Sequence, residues 1–505
     1  MTPLPEWLDP LYEAAEMRAV DAWAIEERGV PSLDLMERAG AGLARTTVGV
    51  AGDGPVRVVI GSGNNGGDGL VVARLLREEG REVDVLAVGD LNQRGDDVAA
   101  NLKRLPGPEP EPFGAGALEG SGVVVDAVLG TGFSGELREP AAEAIAAMNG
   151  QGAPVVACDV PSGIDATTGE VAGEAVRATV TATFHGPKTG LYAAPGALHA
   201  GRVETIDIGV PRGAPAPEAA GLISERVLAL FPRRRRDGSK FSSGTVVVAG
   251  GARGLTGAPT MAALAAQRAG AGYVQVAVPA SAEAVLGLRL LEAMTHGLDE
   301  EDGHHTPEGV EPLLELAERA GSVVLGPGLG RSEGAVAFAR RVAREVEAPL
   351  LIDADGLNAH AGALEDLRRR SAPTVLTPHE AELGRLLERD KQSVAAHRLA
   401  SVREAAERSG CVVLLKGDDT LIAAPGCPTA VSSGATPALA TAGTGDVLSG
   451  AIGALLAKGL DAFAAAALGT HAHVRAGRAA AVLHGTDHVV AGDVIDCLPD
   501  GFGSR

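Results

Sequence analysis

Aromatic side chains are scarce in this chain: eight Phe, three Tyr and two Trp among 505 residues. Its cores must therefore be built from Ala, Val and Leu, and the 69 glycines imply many tight turns and close helix contacts. Cysteine is almost as rare. Cys158, Cys411, Cys427 and Cys497 form no CxxC pair, which excludes a disulfide framework and a cysteine-ligated zinc site. Cys158 and Cys411 lie in or beside apolar runs and read as small buried hydrophobes. Positive charge is also in deficit. The formal net charge is −21, the opposite of the basic footprint that a nucleic-acid partner requires. The one basic run, Arg233–Arg236, reads as a solvated approach to a strand. No apolar stretch is long enough to span a bilayer, since the longest, near Val447–Ala457, ends at Lys458. The first residues, Met1-Thr2-Pro3-Leu4-Pro5-Glu6, show neither the basic nor the apolar region of a signal peptide, so a cytoplasmic enzyme is expected.

What is present is alternation. Hydrophobic residues make up 45% of the chain and charged residues 22%, the composition of a well-packed globular protein. Length alone allows about two or three domains. Two helical patterns, near Tyr12–Glu27 and Leu33–Val50, precede β-branched runs at Val56–Ile60, Val83–Val88, Val123–Val128, Pro154–Cys158 and Val203–Ile208. Buried runs separated by helices predict a parallel sheet covered on both faces. Pro211-Arg212-Gly213-Ala214-Pro215-Ala216-Pro217-Glu218 then breaks both helix and strand and is the best linker candidate. A second series follows at Thr245–Ala249, Tyr273–Val278, Val323–Leu325, Leu350–Ile352, Thr374–Leu376 and Val412–Leu415, closed by helices near Thr444–Ala457 and Ala462–Ala481. The expectation is two doubly wound α/β domains, residues 1–215 and 222–505.

In the first domain, Gly61-Ser62-Gly63-Asn64-Asn65-Gly66-Gly67-Asp68-Gly69 lies between a strand and a helix and fits a dinucleotide fingerprint. A carboxylate inside the loop would repel a diphosphate, however. Asn64, Asn65 and Asp68 suit a cation, or a polar group beside the phosphates, better. Asp126, the loop Gly130-Thr131-Gly132-Phe133-Ser134-Gly135-Glu136, and Asp159-Val160-Pro161-Ser162 also follow strands. Taken singly, each Asp is as well read as the cap of a turn. Three such loops on one sheet favour a shared crevice, and their hard oxygen ligands suit an alkali or alkaline-earth cation. These motifs resemble the YjeF N-terminal domain, the epimerase of hydrated NAD(P)H, over roughly Glu13 to Pro211. The resemblance implies that Asn64, Asn65, Gly66, Gly67, Asp68, Gly130 to Glu136 and Asp159 contact the hydrated dinucleotide. It implies a potassium ion on Asn65, Asp126 and Ser162. Asp159 and Lys188 are the candidates for acid/base work, a surface lysine being the competing reading of Lys188.

In the second domain, Ala442-Gly443-Thr444-Gly445-Asp446 opens an apolar helix. Glycines at a helix start let backbone N–H groups converge on an anion, and Asp446 in the first turn is either a cap or a base acting on a hydroxyl in phosphoryl transfer. Gly326-Pro327-Gly328-Leu329-Gly330, Asp353-Ala354-Asp355, Thr377-Pro378-His379-Glu380-Ala381-Glu382 and Lys416-Gly417-Asp418-Asp419-Thr420 each follow a strand. Such a set is easier to read as one site than as four turns. His304-His305 and the pair His471 and His473 read as structural. With Gly250–Pro259, the set resembles the ribokinase-like superfamily, and within it the ADP/ATP-dependent NAD(P)H-hydrate dehydratases, over about Arg235 to Leu498. That resemblance implies hydrate contacts from Ala258, Gly328, His379 and Asp446. It places the adenine nucleotide, with Mg2+, on Lys416, Gly417, Asp418, Asp419, Thr420 and Gly445. Where the family usually has Asn-Pro-Gly-Met-Ala-Thr-Gly, this chain has Thr436-Pro437-Ala438-Leu439-Ala440-Thr441-Ala442.

Together the two resemblances imply bifunctional repair of hydrated NADH and NADPH: epimerisation of the R and S hydrates, then dehydration of the S form with release of AMP, from ADP, and phosphate. They also imply a homo-oligomer. The alternatives are a small-molecule kinase with a regulatory first domain, or a first domain that binds without catalysing.

Overall fold

The computed structural model describes residues 4–52, 54–91, 95–114 and 116–503. Part of the N-terminal stretch noted above, residues 1–3, lies outside them. The chain forms two compact units: Pro10–Gly221, and the residues from Leu222 onward together with those up to Asp9.

The first unit holds a seven-stranded sheet in the order Glu111–Pro112, Val83–Ala87, Val56–Ile60, Val123–Ala127, Val155–Cys158, Val180–Phe184, Arg202–Ile206. Every pairing is parallel. The Val180–Phe184 strand was not expected, its Val-Thr-Ala-Thr-Phe being no continuous apolar run like the others; its threonine hydroxyls are nonetheless buried, Thr181 donating to the Ala200 carbonyl. Val58, Ile60, Val125 and Val156 pack under helices Ser32–Val50 and Asn64–Glu78. The expected helix Tyr12–Glu27 runs as Ala14–Ala22 and widens into a π turn over Trp23–Glu27 before Pro31.

The order reverses between Val56–Ile60 and Val123–Ala127. This is the switch point at which crossover helices diverge to opposite faces and leave a crevice at the carboxyl ends of the strands. The glycines of the first loop permit that crevice. A Cβ on Gly66 would lie 1.9 Å from the Gly61 carbonyl oxygen, so the helix can start this close to the strand only with glycine there.

The second unit carries an eleven-stranded sheet. From Val412–Leu415 it runs parallel through Thr374–Leu376, Leu350–Ile352, Ser322–Leu325, Thr245–Ala249 and Tyr273–Pro279 to Met294–Leu298. Leu421–Ala423 and Thr429–Val431 extend it as an antiparallel meander, and Ala220–Ile223 and Leu8–Leu11 complete the far edge. Central strands such as Thr245–Ala249 are buried along their length, as expected for valines covered on both faces. Helices Gly257–Arg268, Thr444–Ala457 and Ala462–His484 form one layer over them. The small residues of this layer set the spacing, since Gly450 meets the Ala262 carbonyl oxygen at a distance no Cβ would allow. Here the order reverses between Thr245–Ala249 and Ser322–Leu325. Because the strands are parallel, the loops beginning at Gly250, Gly326, Asp353, Thr377 and Lys416 leave one edge together. No described helix is long and apolar enough to cross a membrane.

Candidate functional sites

The first crevice is a cavity of about 790 Å³. Asn64, Asn65, Asp68, Gly130, Thr131, Gly132, Phe133, Ser134, Asp159 and Lys188 line it, together with residues of the two N-terminal helices such as Met17, Asp21 and Met36. Gly66 and Gly67 are buried outside the lining, and Gly135 and Glu136 are exposed beyond it.

Asp159 follows the strand Val155–Cys158 with φ of 65°, a left-handed conformation that costs a non-glycine residue energy and is held here by its side-chain bonds. Oδ1 accepts from the Lys188 ammonium, from the Thr183 hydroxyl at 3.2 Å and from the Phe184 N–H at 3.2 Å, while Oδ2 accepts from Thr131. Burial alone would raise this carboxyl, but the Lys188 ammonium and these donors bring it below its ordinary value. Lys188 is 1% exposed and uses its three protons on Asp159, Thr183 Oγ1 at 3.0 Å and the Phe184 carbonyl at 2.9 Å. It is therefore not the surface lysine of the competing reading. Asp68 is buried, and among the described residues only the distant Cys158 thiol, 3.9 Å away, offers its carboxyl a hydrogen bond. Burial, then Asp159 and Asp21, push it well above the carboxylate range.

Asp126, fully buried, accepts from the Ser162 N–H at 2.8 Å and the Ser162 hydroxyl at 2.6 Å. Burial raises it to about 6, against those bonds. The Asn65 amide donates to the Leu129 carbonyl at 2.8 Å and the Cys158 carbonyl at 3.0 Å. The structure thus brings Asn65, Asp126 and Ser162 together with the Leu129 and Cys158 carbonyl oxygens, a cluster rich in oxygen donors to a cation. Among the described residues no group of three His, Cys, Asp or Glu is placed to hold a metal. The donor chemistry is that of a weakly held, hard cation.

In the second unit the loops converge on Lys416. Its ammonium lies 2.9 Å from Asp353 Oδ1 and 3.8 Å from Glu382 Oε2. Asp353, 1% exposed, also accepts from the Ser449 hydroxyl at 2.7 Å. Burial works against its charge, but the lysine and hydroxyl donors keep it below the ordinary range. Gly443 adopts φ of 92°, which directs the chain into the helix Thr444–Ala457 with its N–H groups free to point outward. Asp446 sits in that first turn. Burial, then Asp353, raise it to about 7; Lys416 opposes them and Glu382 adds to them. A carboxylate poised there is suited to accept a proton near neutrality.

His379 caps the helix Glu380–Leu387: Nδ1 accepts from the N–H groups of Ala381 and Glu382, and Glu382 returns a bond to the His379 N–H. With Nδ1 an acceptor, the ring proton belongs on Nε2, on a half-exposed side chain. Burial, then Lys416 and Arg385, lower its pKa and keep it neutral. Gly328 and Ala258 are neighbours, a Cβ on Gly328 falling 3.2 Å from that of Ala258. Gly417 and Asp418 are exposed, whereas Asp419 and Thr420 are buried. Asp419 pairs with buried Arg398 at 2.9 Å, so its carboxylate holds the loop from beneath.

Sequence reasoning gave Asp353, Glu382 and Ser449 no role, and it passed over Asp21, Thr183 and Arg398. The two acids in loops carried a signal, their place after strands. Ser449, inside the helix Thr444–Ala457, and Arg398, the first residue of the helix Arg398–Ser409, are brought to the site only by packing. His305 is buried against Phe338, with Nε2 2.8 Å from the Gly250 carbonyl oxygen, in keeping with a structural role. His473 is buried beside Thr444 and Lys416.

Family models match both units: that described as YjeF-related protein N-terminus over residues 32–190, and that of NAD(P)H-hydrate dehydratase over residues 246–500. A bifunctional NAD(P)H-hydrate repair enzyme of Salinibacter ruber is 42% identical, covering 97% of this chain and 95% of its own. One from Moorella thermoacetica is 38% identical, covering 97% and 96%. A solved structure of an ADP/ATP-dependent NAD(P)H-hydrate dehydratase from Bacillus subtilis, co-crystallised with ATP and Mg2+, is 25% identical with a TM-score of 0.47, covering 55% of this chain and 96% of that one. Two sites at two switch points, matched in order along nearly the whole length, place this chain in the family of bifunctional NAD(P)H-hydrate repair enzymes.

Proposed function

We propose that the first unit interconverts the R and S hydrates of NADH and NADPH and that the second dehydrates the S hydrate at the expense of ADP or ATP, releasing phosphate and, from ADP, AMP. The observation that carries the dehydratase reading is Asp446, raised to about 7 at a helix start beside Lys416. As a base it takes the proton of the hydrate hydroxyl while that oxygen attacks the nucleotide's terminal phosphorus. Phosphorylation turns a poor leaving group into a good one; phosphate then leaves with the C–O bonding pair, and loss of a proton from the neighbouring ring carbon to water restores the C=C bond of the ring. Lys416 offsets charge on the phosphates. His379 Nε2–H and the Ala258–Gly328 backbone orient the hydrate.

Asp353, Glu382 and Asp446 around a single ammonium leave an acidic site, which fits a nucleotide carrying Mg2+ and supplies it with oxygen ligands. In the first unit, Asn65, Asp126 and Ser162 with the Leu129 and Cys158 carbonyls fit potassium, whose charge would neutralise Asp126 and fix the two loops. The same reading carries a cytoplasmic homo-oligomer. The test is incubation with racemic NADH hydrate and ADP or ATP separately, following recovery of NADH absorbance. Full recovery with either nucleotide is expected, and no recovery with both overturns the reading.

A further inference from the structure

Asp353, Glu382 and Asp446 surround Lys416 in the second unit, and two of them already share its ammonium. A hydrated dinucleotide brings a diphosphate with further negative charge. Like charges repel at this range, so the diphosphate must be met elsewhere on the loop edge. Arg331 and Arg385 stand there. Arg331 follows Gly330 on the loop that carries Gly328, and Arg385 lies on the helix Glu380–Leu387 that His379 caps, near enough to lower the His379 pKa. Both residues are exposed, and one polar chain braces both guanidiniums. Arg331 Nε donates to Asp355 Oδ1 at 2.8 Å, Asn358 Nδ2 donates to the same oxygen at 3.1 Å, and Arg385 Nε donates to Asn358 Oδ1 at 2.7 Å. Asp355 Oδ2 also accepts from the Gly330 N–H at 3.1 Å, which ties the chain to the glycine loop. Each arginine is thus fixed through Nε, and among the described residues neither makes a hydrogen bond with its terminal nitrogens. Between Asp353 and Asp355, Ala354 takes a φ of 50°, a costly conformation for alanine. The two aspartates on either side of it serve different partners, Asp353 holding Lys416 and Ser449, Asp355 holding Arg331 and Asn358. Arg253 is exposed as well, but it lies along the turn at Gly303 beside Glu300 and, among the described residues, has no such brace.

We propose that Arg331 and Arg385 form the seat of the substrate's diphosphate in the second unit; this rests on the dehydratase reading of that unit. The terminal N–H groups of a guanidinium match phosphate oxygens in one plane, and a brace on Nε sets that plane before the substrate arrives. ADP and ATP carry the same chemical group. The hydrate is the favoured source, because the arginines belong to the elements of Gly328 and His379, and neither belongs to the Lys416–Thr420 loop or to the start of the helix Thr444–Ala457. Such a seat serves the hydrates of NADH and NADPH alike, since both contain the diphosphate.

The test uses the full chain, the S hydrate of NADH and ATP, each varied in turn. Its probe is the hydrate of reduced nicotinamide riboside, which has the reacting ring and no phosphate. Arg331→Gln and Arg385→Gln should each raise KM for NADH hydrate about tenfold or more with kcat within about threefold. The wild-type KM should also climb with salt more steeply than that of either variant. On the riboside hydrate, variants and wild type should share one kcat/KM within about twofold, and KM for ATP should not move. Unchanged unfolding midpoints and ATP KM carry the same control where the riboside hydrate is too poor a substrate to follow. A wild-type KM for NADH hydrate in both variants overturns the proposal. So does an equal loss on the riboside hydrate, which marks a structural role, or a rise in ATP KM instead, which assigns the arginines to the nucleotide. If the wild-type chain turns over neither hydrate, the dehydratase reading itself falls, and this inference with it.

Discussion

Replacing Asp446 by Asn tests the dehydratase chemistry and its energetic origin together. The carboxyl is raised from its ordinary 3.8 to about 7 by burial and by Asp353. Such a rise corresponds to a penalty on the order of 4 kcal/mol on the charged form. Partial solvation of the side chain reduces the measurable share to ~1–2 kcal/mol. The sign follows from linkage. The folded chain holds this proton more tightly than the unfolded chain, so its stability falls as pH rises from about 4 through 7 and the full loss is present above 7. Asn cannot ionise. Asp446→Asn should therefore be the more stable protein at pH 8 by roughly 1–2 kcal/mol, with the difference vanishing near pH 4. It should also lose dehydratase kcat by about 10²–10⁴-fold, the usual share of a general base. In the wild type, kcat/KM for the S hydrate should rise with pH through about 7 as the base ionises. The assays are NADH recovery at saturating nucleotide and urea unfolding of the second unit at pH 4, 6 and 8. Retained turnover would refute the base, and a stability difference independent of pH would refute burial of the charge as the cause of the raised pKa.

Three further outcomes follow from the same geometry. Lys188→Met leaves Asp159 charged and unpaired at a buried site, so the first unit should lose about 3–5 kcal/mol in denaturant unfolding, and adding Asp159→Asn should restore much of it. Arg398→Ala removes the buried guanidinium that pairs with Asp419 and Glu380 beneath the Lys416–Thr420 loop. Nucleotide KM should rise at least about tenfold, with unfolding costs of ~3 kcal/mol, as read by steady-state kinetics and urea titration. Thr436→Asn should leave nucleotide KM within about threefold, because the Thr436 hydroxyl already accepts the Ala438 N–H at 3.3 Å and either side chain can make that cap.

Much of the fold was legible because its strands are continuous runs of Val, Leu and Ile buried on both faces. Val56–Ile60, Thr245–Ala249, Leu350–Ile352 and Val412–Leu415 fall where such runs lie. The strands that escaped notice either mix in polar residues, as Val180–Phe184 does, or are three-residue pieces such as Leu421–Ala423 and Thr429–Val431, made by pairing more than by composition. Site residues in glycine loops were legible for a similar reason, since close approach and helix starts restrict which residues can stand there.

The sequence by itself determined the two α/β series, the loops at their strand ends and the motif residues from Asn64 to Asp446, because these follow from local periodicity and backbone sterics. Only the tertiary structure decided which charges meet. Asp159 is held by Lys188 and Thr183, Lys416 by Asp353, Asp419 by Arg398, and Arg331 by Asp355. Charge state depends on burial and on neighbours distant in the chain, and no local pattern encodes either.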